Sequence, residues 1–179
     1  MRLFYGLALP QEIRAASFAC AQTAAKVIDG RYAPASNHHI TLAFLGDVPQ
    51  DRIPQAQDIL SRTVSRLCAP VLTLGDTGYF GQPQNGILII HIHAEPSLLP
   101  LHDALIHSLR QAQLPVDPGP FSPHITLARH ARIGDTPLPK NPPLSFAPDC
   151  AHLFLSARNA ENQLTYTPVY SASFRAAHI

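Results

Sequence analysis

The sequence predicts a mixed α+β fold, and three observations support this. Short apolar runs typical of strands alternate with longer segments in which apolar residues recur every three or four positions. The pentapeptide HITLA occurs twice, once in each half of the chain. The composition, 46% hydrophobic and 14% charged, is that of a packed globular protein. The length of 179 residues suits one domain over residues 1–179.

The N-terminal half alternates two strands with two helices. Residues 2–9 are typical of a buried strand, and Pro10 with Glu12 then favours the start of a helix. Residues 38–45 predict a second strand, closed by a glycine, and residues 50–67 predict a second amphipathic helix. The apolar stripe of the first helix comprises Ile13, Ala16, Cys20, Ala24 and Val27.

The C-terminal half contains two predicted hairpins and one helix. Proline-rich stretches at 114–123 and 135–144 predict loops, because proline removes a backbone donor and restricts the preceding residue. The predicted elements are a hairpin of strands 70–80 and 86–93, a helix at 98–112, a strand at 124–128, and a closing hairpin of strands 150–157 and 163–170.

The two HITLA copies are the feature that indicates chemistry. Side chains alternate along a strand, so His39 and Thr41 share one face, as do His124 and Thr126. With an unperturbed pKa of about 6.5, one imidazole can be neutral while the other is protonated. Together they can supply a base and an acid, and the hydroxyls can donate to phosphoryl oxygens. The alternative is that both copies are simply β-rich strands with structural histidines.

The sequence resembles a known family, the 2H (two-histidine) phosphoesterases, and within it the bacterial RNA 2′,3′-cyclic phosphodiesterases, also called 2′-5′ RNA ligases. The resemblance is closest in NHHITLAFLGDV and SPHITLAR. It extends to the opening RLFYGLALP and to the C-terminal LTYTPVY. It therefore covers essentially the whole chain.

The resemblance implies a bilobal fold, with two antiparallel sheets around a central groove and helices outside. It implies hydrolysis of RNA 2′,3′-cyclic phosphate ends to 2′-phosphates. The two-histidine scheme requires no metal or cofactor, and a weak reverse activity, 2′-5′ RNA ligation, would follow from microscopic reversibility at the same site. His39 and His124 match the catalytic positions, and Thr41 and Thr126 match the substrate-binding positions. We favour His39 as the acid and His124 as the base, although the sequence itself does not decide this.

Several further residues are candidates for a supporting role. Arg129 follows the second motif and can reach a substrate phosphate, or it is a solvated charge at the strand end. His38 stands where an apolar residue is usual in the family, and we expect it to point away from its neighbour and to be partly exposed. The aromatic candidates for base stacking, or alternatively for the core, are Phe44, Tyr79, Phe80 and Tyr166.

Other functions stay open at this point. A formal net charge of +1 argues against tight binding of long RNA and favours short RNA ends or small cyclic nucleotides as partners. A non-catalytic module that binds RNA ends is one alternative. A histidine-rich metal protein, built on His91 and His93 with His102 or His107, is another. We expect a cytoplasmic monomer without metal, cofactor or membrane segment.

Overall fold

The computed structural model describes residues 1–94, 96, 98–117 and 119–176. Its strands are β1 (Arg2–Ala8), β2 (Asp29–Tyr32), β3 (His39–Asp47), β4 (Leu72–Gln82), β5 (Asn85–Ala94), β6 (His124–Arg132), β7 (Ser145–Phe146), β8 (Cys150–Arg158) and β9 (Leu164–Ser173). Its helices are α1 (Gln11–Ala24), α2 (Ile53–Val64) and α3 (Leu98–Gln111), and short 3₁₀ turns lie at Ala35–Asn37 and Gln50–Arg52. The predicted α+β fold is confirmed.

The strands of the described residues form one nine-stranded antiparallel sheet in the order β7-β4-β5-β6-β3-β1-β8-β9, and β2 pairs with β6 beside this path. Only one residue pair, Ile40 with Ile125, joins β3 to β6. The two predicted sheets are therefore the two halves of one sheet. They meet at the two strands that carry the repeated pentapeptide.

The core lies on one face of this sheet, under the helices. Ile40, Leu42, Ile125 and Leu127 are almost completely buried there. α1 contacts β6, and α2 contacts α3, β8 and β9. Truncating Leu42 or Leu127 to alanine would remove buried methyl groups and leave a cavity, at a cost of about 2–5 kcal/mol. The apolar alternates of both motifs thus hold the sheet to its helices, as the alternation predicted.

The structure corrects the end of the first helix. α1 ends at Ala24, and Val27 is 63% exposed, so its assignment to the buried stripe was wrong. The amide groups of Val27 and Ile28 both donate to the Ala24 carbonyl, which turns the chain and brings Ile28 into the core instead. A helical period cannot be continued past such a turn.

Two short strands were not predicted. β2 has the polar sequence DGRY and contains no buried residue, so it shows no hydrophobic pattern. β7 is only two residues long and follows a proline-rich loop. The predicted hairpins β4/β5 and β8/β9 are both present, and the loop 114–123 is confirmed except at Pro118, which lies outside the described residues.

None of the helices in the described part of the chain is both long and apolar enough to cross a membrane.

Candidate active site

The pairing of β3 with β6 brings the two motifs side by side. Ile40 and Ile125 are register partners and point into the core. Because side chains alternate, the histidine and threonine on either side of each isoleucine point to the opposite face, which we call the motif face. In this register the two histidines are diagonal neighbours across the two strands, a relation that corresponds to about 7–8 Å between Cα atoms in a regular antiparallel pair. His39, Thr41, His124 and Thr126 thus lie together.

Backbone hydrogen bonds fix both imidazoles in the same way. His39 Nδ1 lies 2.7 Å from the carbonyl oxygen of Asn37, and His124 Nδ1 lies 2.7 Å from that of Ser122. A carbonyl can only accept, so each Nδ1 carries the proton and donates it. In each neutral ring Nε2 then carries no proton and is the atom that can accept one. The Thr41 hydroxyl donates to His39 Nε2 at 3.1 Å.

A bulge in each motif strand was not predicted. Neighbouring residues Gly6 and Tyr5 of β1 pair with Thr41 and Ala43, which leaves Leu42 as an extra residue in β3. In the same way, the neighbouring residues Ile89 and Leu88 of β5 pair with Thr126 and Ala128, which leaves Leu127 as an extra residue in β6. The leucine and the alanine of each HITLA are both buried, which strict alternation along a strand would not allow.

The bulge decides where Arg129 points. Strict alternation from Ile125 would place Arg129 on the core face. The extra residue reverses the alternation, and Arg129 is exposed instead. Its positive charge acts on both His39 and His124, so it lies close to both motifs. All five predicted site residues are therefore brought to one place, and their roles stay predictions.

The two imidazoles have different aromatic neighbours. The His39 ring lies 4.8 Å from Phe4 and 4.8 Å from Tyr166 between ring centroids, and 6.0 Å from Phe154. The His124 ring lies 4.9 Å from Phe80, edge to face. Two of the four aromatic candidates, Phe80 and Tyr166, thus border the site.

The other two aromatic candidates do not contact the histidines. The guanidinium carbon of Arg2 lies over the Phe44 ring, 5.0 Å from the ring centroid. Tyr79 is 40% exposed on β4. Sequence alone could not separate these two from Phe80 and Tyr166, because the separation depends on which strands become neighbours.

The residue opposite each catalytic-motif histidine also differs. Ala8 of β1 is the register partner of His39, and His91 of β5 is the register partner of His124. We call His39, Thr41 and Ala8 the N-terminal half-site, and His124, Thr126 and His91 the C-terminal half-site. Sequence reasoning missed both partners. The HxH spacing placed His91 on one face of its strand but gave no sign that β5 would lie beside β6.

Burial and charge hold both histidines towards the neutral form. The pKa of His39 is lowered from 6.5 to about 4, first by burial and then by the charges of His124, His38 and Arg129, while its hydrogen bond to the backbone before the motif opposes this shift. Burial also lowers the pKa of His124, as do the charges of Arg129 and His91. Both imidazoles are therefore neutral at pH 7 when no anion is present.

The expectation for His38 was wrong in part. Its side chain is 97% buried rather than partly exposed, because it packs under α1. His38 Nδ1 lies 2.8 Å from the hydroxyl of Ser17, which is itself fully buried. His38 therefore connects the first helix to the segment before the first motif.

The residues considered for a metal site do not converge. His102 stacks on Phe121 at 4.0 Å between ring centroids and bonds to Asp103, whereas His91 and His93 lie on β5. Within the described ranges, no group of three or more histidine, cysteine, aspartate or glutamate side chains is arranged to hold a metal ion.

The sequence is similar to that of known RNA 2′,3′-cyclic phosphodiesterases. The sequence profile of the 2′-5′ RNA ligase superfamily matches residues 9–147. The RNA 2′,3′-cyclic phosphodiesterase of Thermus thermophilus is 36% identical over 157 residues, which are 82% of this chain and 75% of that protein. The protein of the same name from Escherichia coli is 31% identical over 171 residues, 94% of this chain and 93% of its own length.

Solved structures of similar fold come from the same two organisms. The crystal structure of TT0787 of Thermus thermophilus has a TM-score of 0.81 and 28% identity, and covers 99% of this chain and 100% of its own. That of Escherichia coli LigT complexed with 3′-AMP has a TM-score of 0.79 and 27% identity, with 97% of both chains covered.

The fold and the paired half-sites define a two-histidine phosphoesterase. Since the superfamily profile covers most of the chain, and relatives above 30% identity cover more than two thirds of it, the chain belongs to the 2′-5′ RNA ligase superfamily.

Proposed function

We propose that this protein hydrolyses 2′,3′-cyclic phosphates at RNA ends to 2′-phosphates, with His39 and His124 as an acid-base pair. One observation carries the proposal. Two strands of identical motif present two imidazoles of the same tautomer on one face, with Nδ1 of each held by a backbone carbonyl and Nε2 of each left without a proton. Its curated relatives are named RNA 2′,3′-cyclic phosphodiesterases, which fits this chemistry.

The surroundings of the two histidines favour distinct roles. Phosphoryl transfer places the attacking and leaving oxygens roughly in line across the phosphorus. The leaving 3′ oxygen belongs to the ribose, so the bulky nucleoside must lie on the side of the acid, and only a water on the side of the base. Ala8 leaves a cavity beside His39, whereas the register partner of His124 is the larger His91, whose ring leans across Gly78. This asymmetry supports His39 as the acid and His124 as the base.

The reaction then proceeds with all protons accounted for. Nε2 of His124 takes a proton from water as the water oxygen bonds to phosphorus. The bond from phosphorus to the 3′ oxygen breaks, and protonated His39 gives its Nε2 proton to that oxygen. The hydroxyls of Thr41 and Thr126 and the guanidinium of Arg129 donate to the non-bridging oxygens. The product is a 2′-phosphate with a free 3′-hydroxyl.

The low pKa of His39 is compatible with an acid role once substrate is bound. The cyclic phosphate brings a negative charge next to the imidazole, which favours the protonated form. Burial is the largest cause of that low pKa, so the charge acts on His39 in a lower effective dielectric than that of bulk water and its pKa responds strongly. Substrate binding therefore loads the acid with its proton.

The same site can join RNA ends. If the 5′-hydroxyl of a second RNA takes the position of water, the same proton transfers give a 2′-5′ phosphodiester instead of a 2′-phosphate. Water is present at far higher concentration than any RNA end, so we expect this ligation to be weak.

The test is turnover of a short RNA ending in a 2′,3′-cyclic phosphate, in EDTA, by the wild type, His39→Ala and His124→Ala. We expect 2′-phosphate product from the wild type and losses of about 10²- to 10⁴-fold in each variant. His102→Ala is the matched control, because that histidine stacks outside the site.

Each alternative predicts another result. A non-catalytic module would bind the RNA end without turnover. A phosphodiesterase for small cyclic nucleotides would hydrolyse 2′,3′-cyclic mononucleotides and leave the RNA intact. A metal-dependent enzyme would lose activity in EDTA. We also propose that the protein is a monomer in the cytoplasm. Analytical sedimentation of the purified protein would measure its oligomeric state.

A further inference from the structure

A cavity of about 150 Å³ opens beside His39. Ala8 at the end of β1 and Asn37 just before β3 form part of its wall, and Arg14 faces it from α1. Phe154, Tyr166 and Pro168, from the hairpin β8/β9, form an apolar side. The cavity is therefore continuous with the N-terminal half-site and extends away from His124.

The walls of this cavity suit a nucleotide. Tyr166, which is half-buried, offers an aromatic surface on which any base can stack, and the buried Phe154, stacked on Phe4, supports this side of the cavity. Arg14 is exposed and donates through Nη2 to the carbonyl oxygen of Leu9 at 2.9 Å, which holds the side chain in place. In the described part of the chain no carboxylate lies within 4.0 Å of its guanidinium. Its remaining N–H groups are available to an anion.

The apolar side of the cavity is held in place by the chain itself. Asn37 Nδ2 donates to the carbonyl oxygen of Leu164 at 2.6 Å, which ties the start of β9 to the segment before the first motif. Two residues further on, Tyr166 contacts Phe4 edge to face, 5.1 Å between ring centroids. A ligand would therefore meet a wall that is already ordered.

We propose that this cavity binds the terminal nucleoside of the RNA, and that Arg14 binds the phosphate on the 5′ side of that nucleoside. The inference rests on the proposed function and adds a substrate preference to it. A cyclic phosphate at the end of an RNA carries such a 5′ phosphate, whereas a free 2′,3′-cyclic nucleoside monophosphate has only a 5′-hydroxyl. Arg14 therefore distinguishes an RNA end from a small cyclic nucleotide.

The first measurement compares two substrates that differ only in that phosphate: adenosine 2′,3′-cyclic phosphate and its 5′-phosphorylated form. We expect kcat/KM of the wild type to be about tenfold higher for the 5′-phosphorylated substrate, because a charge-assisted contact at an exposed arginine is lost in the other. Equal values overturn the inference and leave the proposed function intact. Failure to hydrolyse either substrate overturns the proposed function and the inference with it.

The second measurement repeats this ratio for three variants. Arg14→Ala lowers the ratio towards one, and Arg14→Lys, which keeps the charge, retains part of it. Arg62→Ala, a matched arginine on α2 that pairs with Asp58, leaves the ratio at the wild-type value. An unchanged ratio in Arg14→Ala would overturn the inference. If that variant does not fold, the wild-type ratio and Arg14→Lys still decide it.

Discussion

The two half-sites are built on the same plan and differ in their neighbours. β1 pairs with β3 and β5 pairs with β6 in the same register, with the same bulge after each threonine. The partner of the histidine is Ala8 in one and His91 in the other. Two identical pentapeptides thus give two equivalent imidazoles, and the strands beside them make those imidazoles different.

A glycine allows the crowded arrangement in the C-terminal half-site. The ring of His91 leans across Gly78 of β4, where an added Cβ would overlap it. His93 leans across Gly75 in the same way. In the N-terminal half-site the position of His91 is taken by the methyl group of Ala8, and a cavity remains. The half-sites therefore offer one open and one filled neighbourhood.

The largest expected effect separates the roles of the two histidines. Bis(4-nitrophenyl) phosphate releases a stable nitrophenolate, which needs no acid. We expect His39→Ala to lose about 10²- to 10⁴-fold in kcat/KM on the cyclic phosphate and far less on this activated diester. His124→Ala should lose similar factors on both substrates, because the water still needs a base.

The contrast between substrates is what matters in this experiment. Dividing the loss on one substrate by the loss on the other removes any general damage to the fold. If His124→Ala is the variant that the activated substrate rescues, the roles are reversed and the open half-site holds the water.

The next effect comes from filling the open half-site. Ala8→His introduces into the N-terminal half-site the side chain that the C-terminal one already has. We expect KM for a short cyclic-phosphate RNA to rise about tenfold, since a stacked base contributes about 1–3 kcal/mol, with a smaller change in kcat. Ala8→Ser, which keeps the cavity open, is the control. An unchanged KM in Ala8→His would mean that the nucleoside binds elsewhere.

The comparison of half-sites also shows how far the sequence could lead. The three helices and seven of the nine described strands followed from hydrophobic periodicity, and the histidine and threonine of each motif followed from the repeated pentapeptide, because these signals depend on residues close in the chain. The partners Ala8 and His91 could not be predicted, since they depend on which strands become neighbours. The direction of Arg129 depends on the bulge at Leu127, which a strict two-residue alternation misses.

The third prediction concerns pH. One histidine must be neutral and the other protonated. The pH profile of kcat/KM should therefore be bell-shaped, with its two limbs at the pKa values of the two histidines in the free protein. Burial lowers the pKa of His39 to about 4 and also lowers that of His124. The bell should therefore lie below pH 6.5. The optimum of kcat should lie at higher pH, because the bound phosphate favours both imidazolium forms.

Arg129 tests the cause of this pH dependence. Its charge lowers the pKa of both histidines, so Arg129→Ala should raise both values and move the two limbs of the kcat/KM profile to higher pH. Arg129→Lys keeps the charge and should leave the limbs near their wild-type positions. A profile of Arg129→Ala that superimposes on the wild type would show that the charge is not felt at the histidines.

The smallest expected effect comes from moving His91 without mutating it. A methyl group at Gly78 would force the His91 ring away from β4 and towards β6, where the water beside His124 would lie. We expect Gly78→Ala to lower kcat/KM only a few-fold, because no catalytic group is removed. Gly75→Ala displaces His93, which is not the partner of His124 in the sheet, and should not change kcat/KM. Equal losses in the two variants, at equal melting temperatures, would mean that the filled half-site plays no part in positioning the water.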